Sequence, residues 1–273
     1  MRLGIFAKTF AGTDPAAVLA AVKQAGYETT QFNLACAGLP SMPDAVPADA
    51  IASIRAAAQS SGVSLAALSG TYNMAHPDRA VRDDGLRRLA VVIKTAASLG
   101  IPLVTLCTGS RNIADQWAYH PENATPSAWF DMAAEMGKAL ALAEDAGVDL
   151  GIEPEQANIV TSARDATRLI ADMRSKRLKI VLDPANLFDY ATPGEARAIV
   201  AAAIDEAASH IAMAHAKDRH GDGRFATSGQ GIVDFPDFVA RLKAVGFDGA
   251  LVTHGLSADE APGVATFLRG LLR

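Results

Sequence analysis

The sequence predicts an α/β protein built as a single (β/α)8 barrel, and three observations carry that expectation. Short apolar runs alternate with longer segments of helical spacing eight times along the chain, the rhythm of a parallel sheet wrapped by helices. Eight such units in 273 residues suit a closed barrel better than an open sheet. No Pro/Ser-rich linker or shift of composition divides residues 1–273, so one domain is expected.

The first strand is expected at residues 3–7. Thr13 and Asp14 before Pro15 open a helix that stops at Gly26, since proline suits a first helical turn and glycine the left-handed residue that ends one. The second strand, 29–34, carries Gln31 and Asn33 near its end. A helix at 47–61 closes at Gly62, and the third strand follows at 64–69. A long helix, 79–99, stops at Gly100, before the fourth strand at 103–106. After a polar loop to residue 125, a helix spans 127–146 and ends at Gly147, leading into the fifth strand, which ends at Glu153. The sixth, seventh and eighth strands end at Asp183, His215 and His254, with helices expected at 162–173, 194–208, 234–244 and 258–272. The loops 107–125 and 216–233 follow the fourth and seventh strands. Connections of that length in a compact domain are usually functional.

Composition narrows the function. Half of the residues are hydrophobic, enough for a full core, and 25 basic against 30 acidic residues leave a net charge of −5. With no Lys/Arg block, a broad nucleic-acid surface is not expected. Cys36 and Cys107 form no CxxC pattern and read as reduced thiols of a cytoplasmic protein. No signal-peptide pattern is present, and no apolar stretch reaches the ~18 residues of a membrane span. Dinucleotide, P-loop and Ser-elbow motifs are absent.

The chemistry concentrates at strand ends. VDLGIE ends in Glu153, IVLDPAN carries Asp183, IAMAH ends in His215 and ALVTH ends in His254. In α/β barrels the carboxyl ends of the strands form the functional face. Two carboxylates and two imidazoles brought there by consecutive strands are costly together unless a cation neutralises the acids. Their mixed O and N donors suit Mn, Zn, Co or Fe better than Ca or Mg. Several neighbours are candidates for substrate contact. Lys217 follows His215 and could stabilise developing negative charge; Glu155 shares a face with Glu153 if the strand continues past Pro154. Asn186 suits hydrogen bonding to substrate or capping of the next segment. His76 is either a substrate contact or a turn residue, Arg111 an oxyanion grip or a solvated loop cation, and Trp117 a wall for a sugar face or loop packing.

From residue 64 to 256 the chain resembles the xylose-isomerase-like barrels, the sugar phosphate isomerases and epimerases, in the pieces SGTYNMAHPD, LCTGSRN with HPEN, GIEPE, LDPAN, HAKD, and SGQGIVDF followed by GFDGALVTHG. The resemblance implies metal-ligand roles for Glu153, Asp183 and His215. His254 stands where the family pattern has Glu; it can serve as a ligand, but the paired-Glu acid/base arrangement of the epimerases is lost. The reading implied is a metal-dependent isomerase or epimerase of a small sugar or sugar phosphate acting through an enediolate. Glu153 would be the base, and Lys217 or a water would return the proton. Rival readings are a keto-polyol dehydratase, a non-catalytic sugar-binding barrel and an abasic-site DNA endonuclease; the last needs more ligands than are found. Dimers and tetramers are common among such barrels, so a homo-oligomer is compatible with the sequence.

Overall fold

The computed structural model describes residues 1–273. Eight parallel strands close in the order β1 (Arg2–Phe6), β10 (Ala250–Thr253), β7 (Ile211–Ala216), β6 (Leu178–Leu182), β5 (Asp149–Ile152), β4 (Leu103–Leu106), β3 (Ser64–Ser69) and β2 (Thr29–Phe32), back to β1. The outer ring is α1 (Pro15–Gln24), α2 (Ala48–Ser61), α3 (Arg79–Leu99), α4 (Pro126–Ala146), α5 (Ala163–Met173), α6 (Pro193–Ala207), α7 (Phe235–Ala244) and α8 (Ala261–Leu272). The remaining strands, β8 (Asp218–Arg219) and β9 (Phe225–Ala226), pair antiparallel as a small hairpin. That hairpin lies in the segment after β7, which the sequence reading takes as plain loop.

Local chemistry sets the boundaries. Asp14, Asp78, Thr125, Ser162, Thr192 and Asp234 each accept a backbone N–H at the start of a helix, and Gly62, Gly100 and Gly147 take the left-handed conformation that ends one. The last helix begins at Ala261, later than the expected 258, because Glu260 Oε2 holds Ser257 N at 2.9 Å in a turn. No helix is long and apolar enough to cross a membrane, and both cysteines are buried and unpaired.

Alternation along the strands makes the site. Side chains two residues apart on a strand share a face. Ala67, Leu103, Val181, Met213 and Val252 pack in a small apolar cluster of their own, separate from the large core. Two residues further along the same strands come Ser69, Thr105, Asp183, His215 and His254. The barrel interior is thus an apolar plug with a polar layer at the carboxyl ends. Gly151 keeps the plug narrow beneath Glu153, since a Cβ there would sit 2.8 Å from Val181 Cγ2. The strand register shifts between Thr30 and Gln31 and between Ile180 and Val181, just before two residues of that polar layer, and such irregularities commonly re-aim side chains near active sites.

Candidate active site

The polar layer floors a cavity of about 600 Å³. One ligand atom each from Glu153, Asp183 and His215 lies within 4.8 Å of the others. Asp183 Oδ1 accepts the N–H of Ala185 at 2.9 Å and so caps the 3-10 turn Pro184–Asn186. One oxygen of this strand-end acid thus serves as a cap and the other is left over, since Asp183 Oδ2 is buried with no hydrogen-bond partner. His215 Nδ1 is likewise buried and unpartnered, 3.4 Å from both Glu153 Oε1 and Asp183 Oδ2.

Gln31 explains the orientation of that imidazole. Its amide nitrogen donates to Ser69 Oγ (3.2 Å) and Thr105 Oγ1 (3.1 Å), which turns Oε1 toward His215 Nε2 at 2.9 Å. Nε2 then carries the hydrogen and Nδ1 faces the two acids, an outer partner fixing a ligand's tautomer. The sequence reading notes Gln31 but gives it no role. Its signal was an amide on the inward face of a barrel strand, at the level of the metal-competent residues.

Burial alone would lower the His215 pKa, but the charge of Glu153 and the carboxylate of Asp183 beside it push it up to about 10. Asp183 shows the converse: burial would raise it, yet Lys217 and His215 hold it well below the usual carboxylate range. Without a cation, the cluster is held together by a proton on His215. A divalent metal would meet the same three donors and displace that proton. The residues fit such an ion: two unpartnered donor atoms and a carboxylate face one point, in an O/N set suited to a transition metal. Apparent metal affinity is therefore expected to rise about tenfold per pH unit from pH 6 to 9, with close to one proton released per ion bound. Titration calorimetry with Mn²⁺ in buffers of different ionisation heat checks this; a pH-independent affinity would contradict it. In the metal-free protein the sign reverses: the stability contributed by protonated His215 is present in full below the ordinary histidine pKa and is lost as pH rises through about 10.

His254, expected as a fourth ligand, lies outside the three-residue group, although its Nδ1 is also buried without a hydrogen-bond partner. Its ring stacks on His215 (centroids 5.3 Å apart, planes 23° apart) and on Phe6 (5.0 Å). Its two faces are taken by His215 and Phe6, so only its edge is free. Burial, then the charges of His215 and Lys217, lower its pKa to about 3, so it is a neutral imidazole lining the cavity.

The structure brings the other candidates together unevenly. Asn186 bridges the site, donating to Glu153 Oε1 at 2.7 Å and accepting from Lys217 Nζ at 3.0 Å. Glu153 Oε2 makes no hydrogen bond. Glu155 lines the same cavity although β5 ends at Ile152, so the shared face does not require a continued strand. Burial and the neighbouring Glu153 raise its pKa to about 8, and Asn158 donates to it at 3.1 Å. Trp117, half-exposed in the loop after β4, also lines the cavity. Arg111 and His76 do not. Arg111 is buried behind the loops, donating to Ala75 O (3.0 Å) and Asp131 Oδ2 (2.7 Å); its guanidinium is consumed in tying that loop to α4. His76 Nδ1 accepts the N–H of Asp78 at 3.0 Å at the start of α3, the turn role that an HPD sequence also allows. The cavity further contains Arg219 and Phe225, which the sequence reading does not single out.

The profile of the xylose isomerase-like TIM barrel matches residues 19–270. The chain belongs to that family. Among solved structures, this xylose isomerase-like barrel is similar to the apo form of 3-keto-D-glucoside 4-epimerase, YcjR, from E. coli, with 16% identity, a TM-score of 0.78 and 99% of each chain covered. It is similar to an L-ribulose 3-epimerase at 21% identity and a TM-score of 0.77, covering 99% of this chain and 93% of that one. A D-psicose 3-epimerase from Clostridium cellulolyticum H10, solved with D-tagatose, shares 17% identity and a TM-score of 0.75 over the whole of both chains. At these identities the likeness establishes the barrel. No curated protein matches the chain.

Proposed function

We propose that the protein is a metal-dependent isomerase or epimerase of a small sugar or sugar phosphate, working through an enediolate. The observation that carries this is the Glu153–Asp183–His215 group, with its unpartnered buried Asp183 Oδ2 and His215 Nδ1, on the floor of a monosaccharide-sized cavity. The similar solved structures are sugar epimerases, which supports it.

Glu153, Asp183 and His215 would hold the ion, which when bound acidifies the C–H next to a carbonyl and neutralises charge developing on oxygen. The chain's own residues do the rest. Glu153 Oε1 is held by Asn186, which leaves Oε2 free to take the proton. Lys217, tethered to Asn186 and 3.9 Å from Asp183, places a cation where an enediolate oxygen would form. The paired Glu of the family's epimerases is absent. Two groups in the cavity are suited to return the proton: Lys217, and Glu155, which burial keeps protonated near neutral pH. Neutral His254, flat between Phe6 and His215, walls the cavity on the remaining side.

The test is incubation of the Mn²⁺-loaded protein with a panel of ketoses and ketose phosphates in D₂O. Loss of the NMR signal of the C–H next to the carbonyl, with a gain of one mass unit, is the expected result. No exchange in any of them, with Mn²⁺, Co²⁺, Zn²⁺ or Fe²⁺, would overturn the proposal. Loss of water from the product would place the protein with the keto-polyol dehydratases, which share the first proton transfer.

A further inference from the structure

Lys217 and Arg219 enter the cavity at the hairpin after β7, and the Glu153–Asp183–His215 group accounts for only the first of them, through Asp183. Lys217 and Arg219 are two residues apart, while Asp218 between them turns the opposite way, into hydrogen bonds with the N–H groups of Gly229, Gly231 and Val233. Arg219 pairs directly with Phe225 across the hairpin. Both cations rest on that ring, Lys217 Nζ at 3.7 Å and Arg219 Cζ at 4.4 Å from its centroid. Both line the cavity, and both are 8% exposed.

Like charges buried side by side need opposing charge, and the acids Glu153, Glu155 and Asp183 lie beside Lys217 rather than Arg219. Asp183 is 3.9 Å from Lys217 Nζ and is shared with His215. Asp189 meets Arg219 Nη1 at 2.8 Å from the surface, itself mostly exposed. Arg219 uses only one corner of its guanidinium: Nη1 donates to Asp189 and to Phe188 O, both at 2.8 Å. Nε is buried with no partner. Nη2 makes no hydrogen bond, and a guanidinium nitrogen left free beside a cavity favours an anionic oxygen over a neutral one. A neutral sugar would offer that guanidinium only hydroxyl or carbonyl oxygens, which form the weaker, uncharged hydrogen bond.

We infer that the substrate is an anionic sugar, and that Arg219, with Lys217 beside it on Phe225, grips its carboxylate or phosphate. This rests on the sugar-isomerase reading and narrows it to a substrate class. Lys8, exposed at the cavity's edge, adds positive charge on the way in.

The test is titration calorimetry of the Mn²⁺-loaded protein with D-fructose, D-fructose 6-phosphate and 5-keto-D-gluconate, on wild type, Arg219→Gln and Arg219→Lys. At least one anionic ketose should bind wild type about tenfold or more tighter than fructose, as charge-assisted contacts exceed neutral ones. Which of the two does so distinguishes phosphate from carboxylate. Arg219→Gln should erase the advantage and Arg219→Lys should keep part of it, which a folding defect would not do. Equal affinity for all three, an advantage that survives Arg219→Gln, or no binding by either anion would overturn the inference. The D₂O exchange is independent: exchange of neutral fructose without anion preference refutes only the anionic class, and anion preference without exchange in any ketose refutes only the isomerase reading.

Discussion

Glu153→Gln lowers turnover of the metal-loaded protein by about 10²- to 10⁴-fold, the usual contribution of a positioned general base. Gln keeps the shape and one carbonyl oxygen, so the Asn186 amide that meets Oε1 at 2.7 Å keeps an acceptor. What is lost is the basicity of Oε2 and one negative charge beside His215. The lost charge weakens metal binding, so the assay is run at saturating Mn²⁺, with bound metal counted by elemental analysis. Full activity in a metal-replete Glu153→Gln protein would remove Glu153 as the base and transfer attention to Glu155. Glu155→Gln is the control. With its acid form favoured up to about pH 8, Glu155 suits proton return rather than abstraction, so its variant should retain C–H exchange in D₂O while net conversion slows. The two variants separate the halves of one proton transfer by which readout fails.

The barrel and the polar face at its strand ends were legible because both depend on short-range signals. Period-two strands, glycine stops and polar caps are written in adjacent residues, and an acid or imidazole at the end of an apolar run marks the functional face. Asp183 and His215 were found this way. What was less legible depends on geometry across the barrel. Gln31 matters because it spans from β2 to His215 on β7, 184 positions away, and no local pattern carries that distance. His254 has the right residue type at the right strand end, but its ring orientation is set by Phe6 and His215 stacking on it. Arg111 in its Gly/Ser loop could be an anion grip or a solvated cation, and it is neither, because Asp131, on a helix twenty residues later, occupies it. Arg219 and Phe225 acquired meaning only when a two-residue hairpin opposed them, an element too short for periodicity to reveal.

Asp218→Ala is expected to cost about 3 kcal/mol or more, because each buried donor left unpaired costs roughly 1–3 kcal/mol. Asp218 is fully buried. Its Oδ1 accepts from Arg219 N (2.8 Å) and Val233 N (3.1 Å), and its Oδ2 from Gly229 N (2.9 Å) and Gly231 N (2.8 Å). One carboxylate thus folds residues 219–233 back on the end of β7, supplying acceptors to backbone N–H groups that the short β8–β9 hairpin leaves unpaired. In a domain of this size the melting temperature should fall on the order of 10 °C, at roughly 2–4 °C per kcal/mol. Asp218→Asn should fall between, since its amide keeps one acceptor and puts a donor against backbone donors. Gly231→Ala tests the same clamp from the other side: a Cβ there would run into Asp218 Oδ1 and Arg219 O, so it too should lower the melting temperature. If Asp218→Ala melts like wild type, the loop is held by something other than this carboxylate. If it melts as expected, Lys217, Arg219 and Phe225 lose their fixed places with the loop, and the preference for anionic ketoses should disappear even though none of the three has been changed.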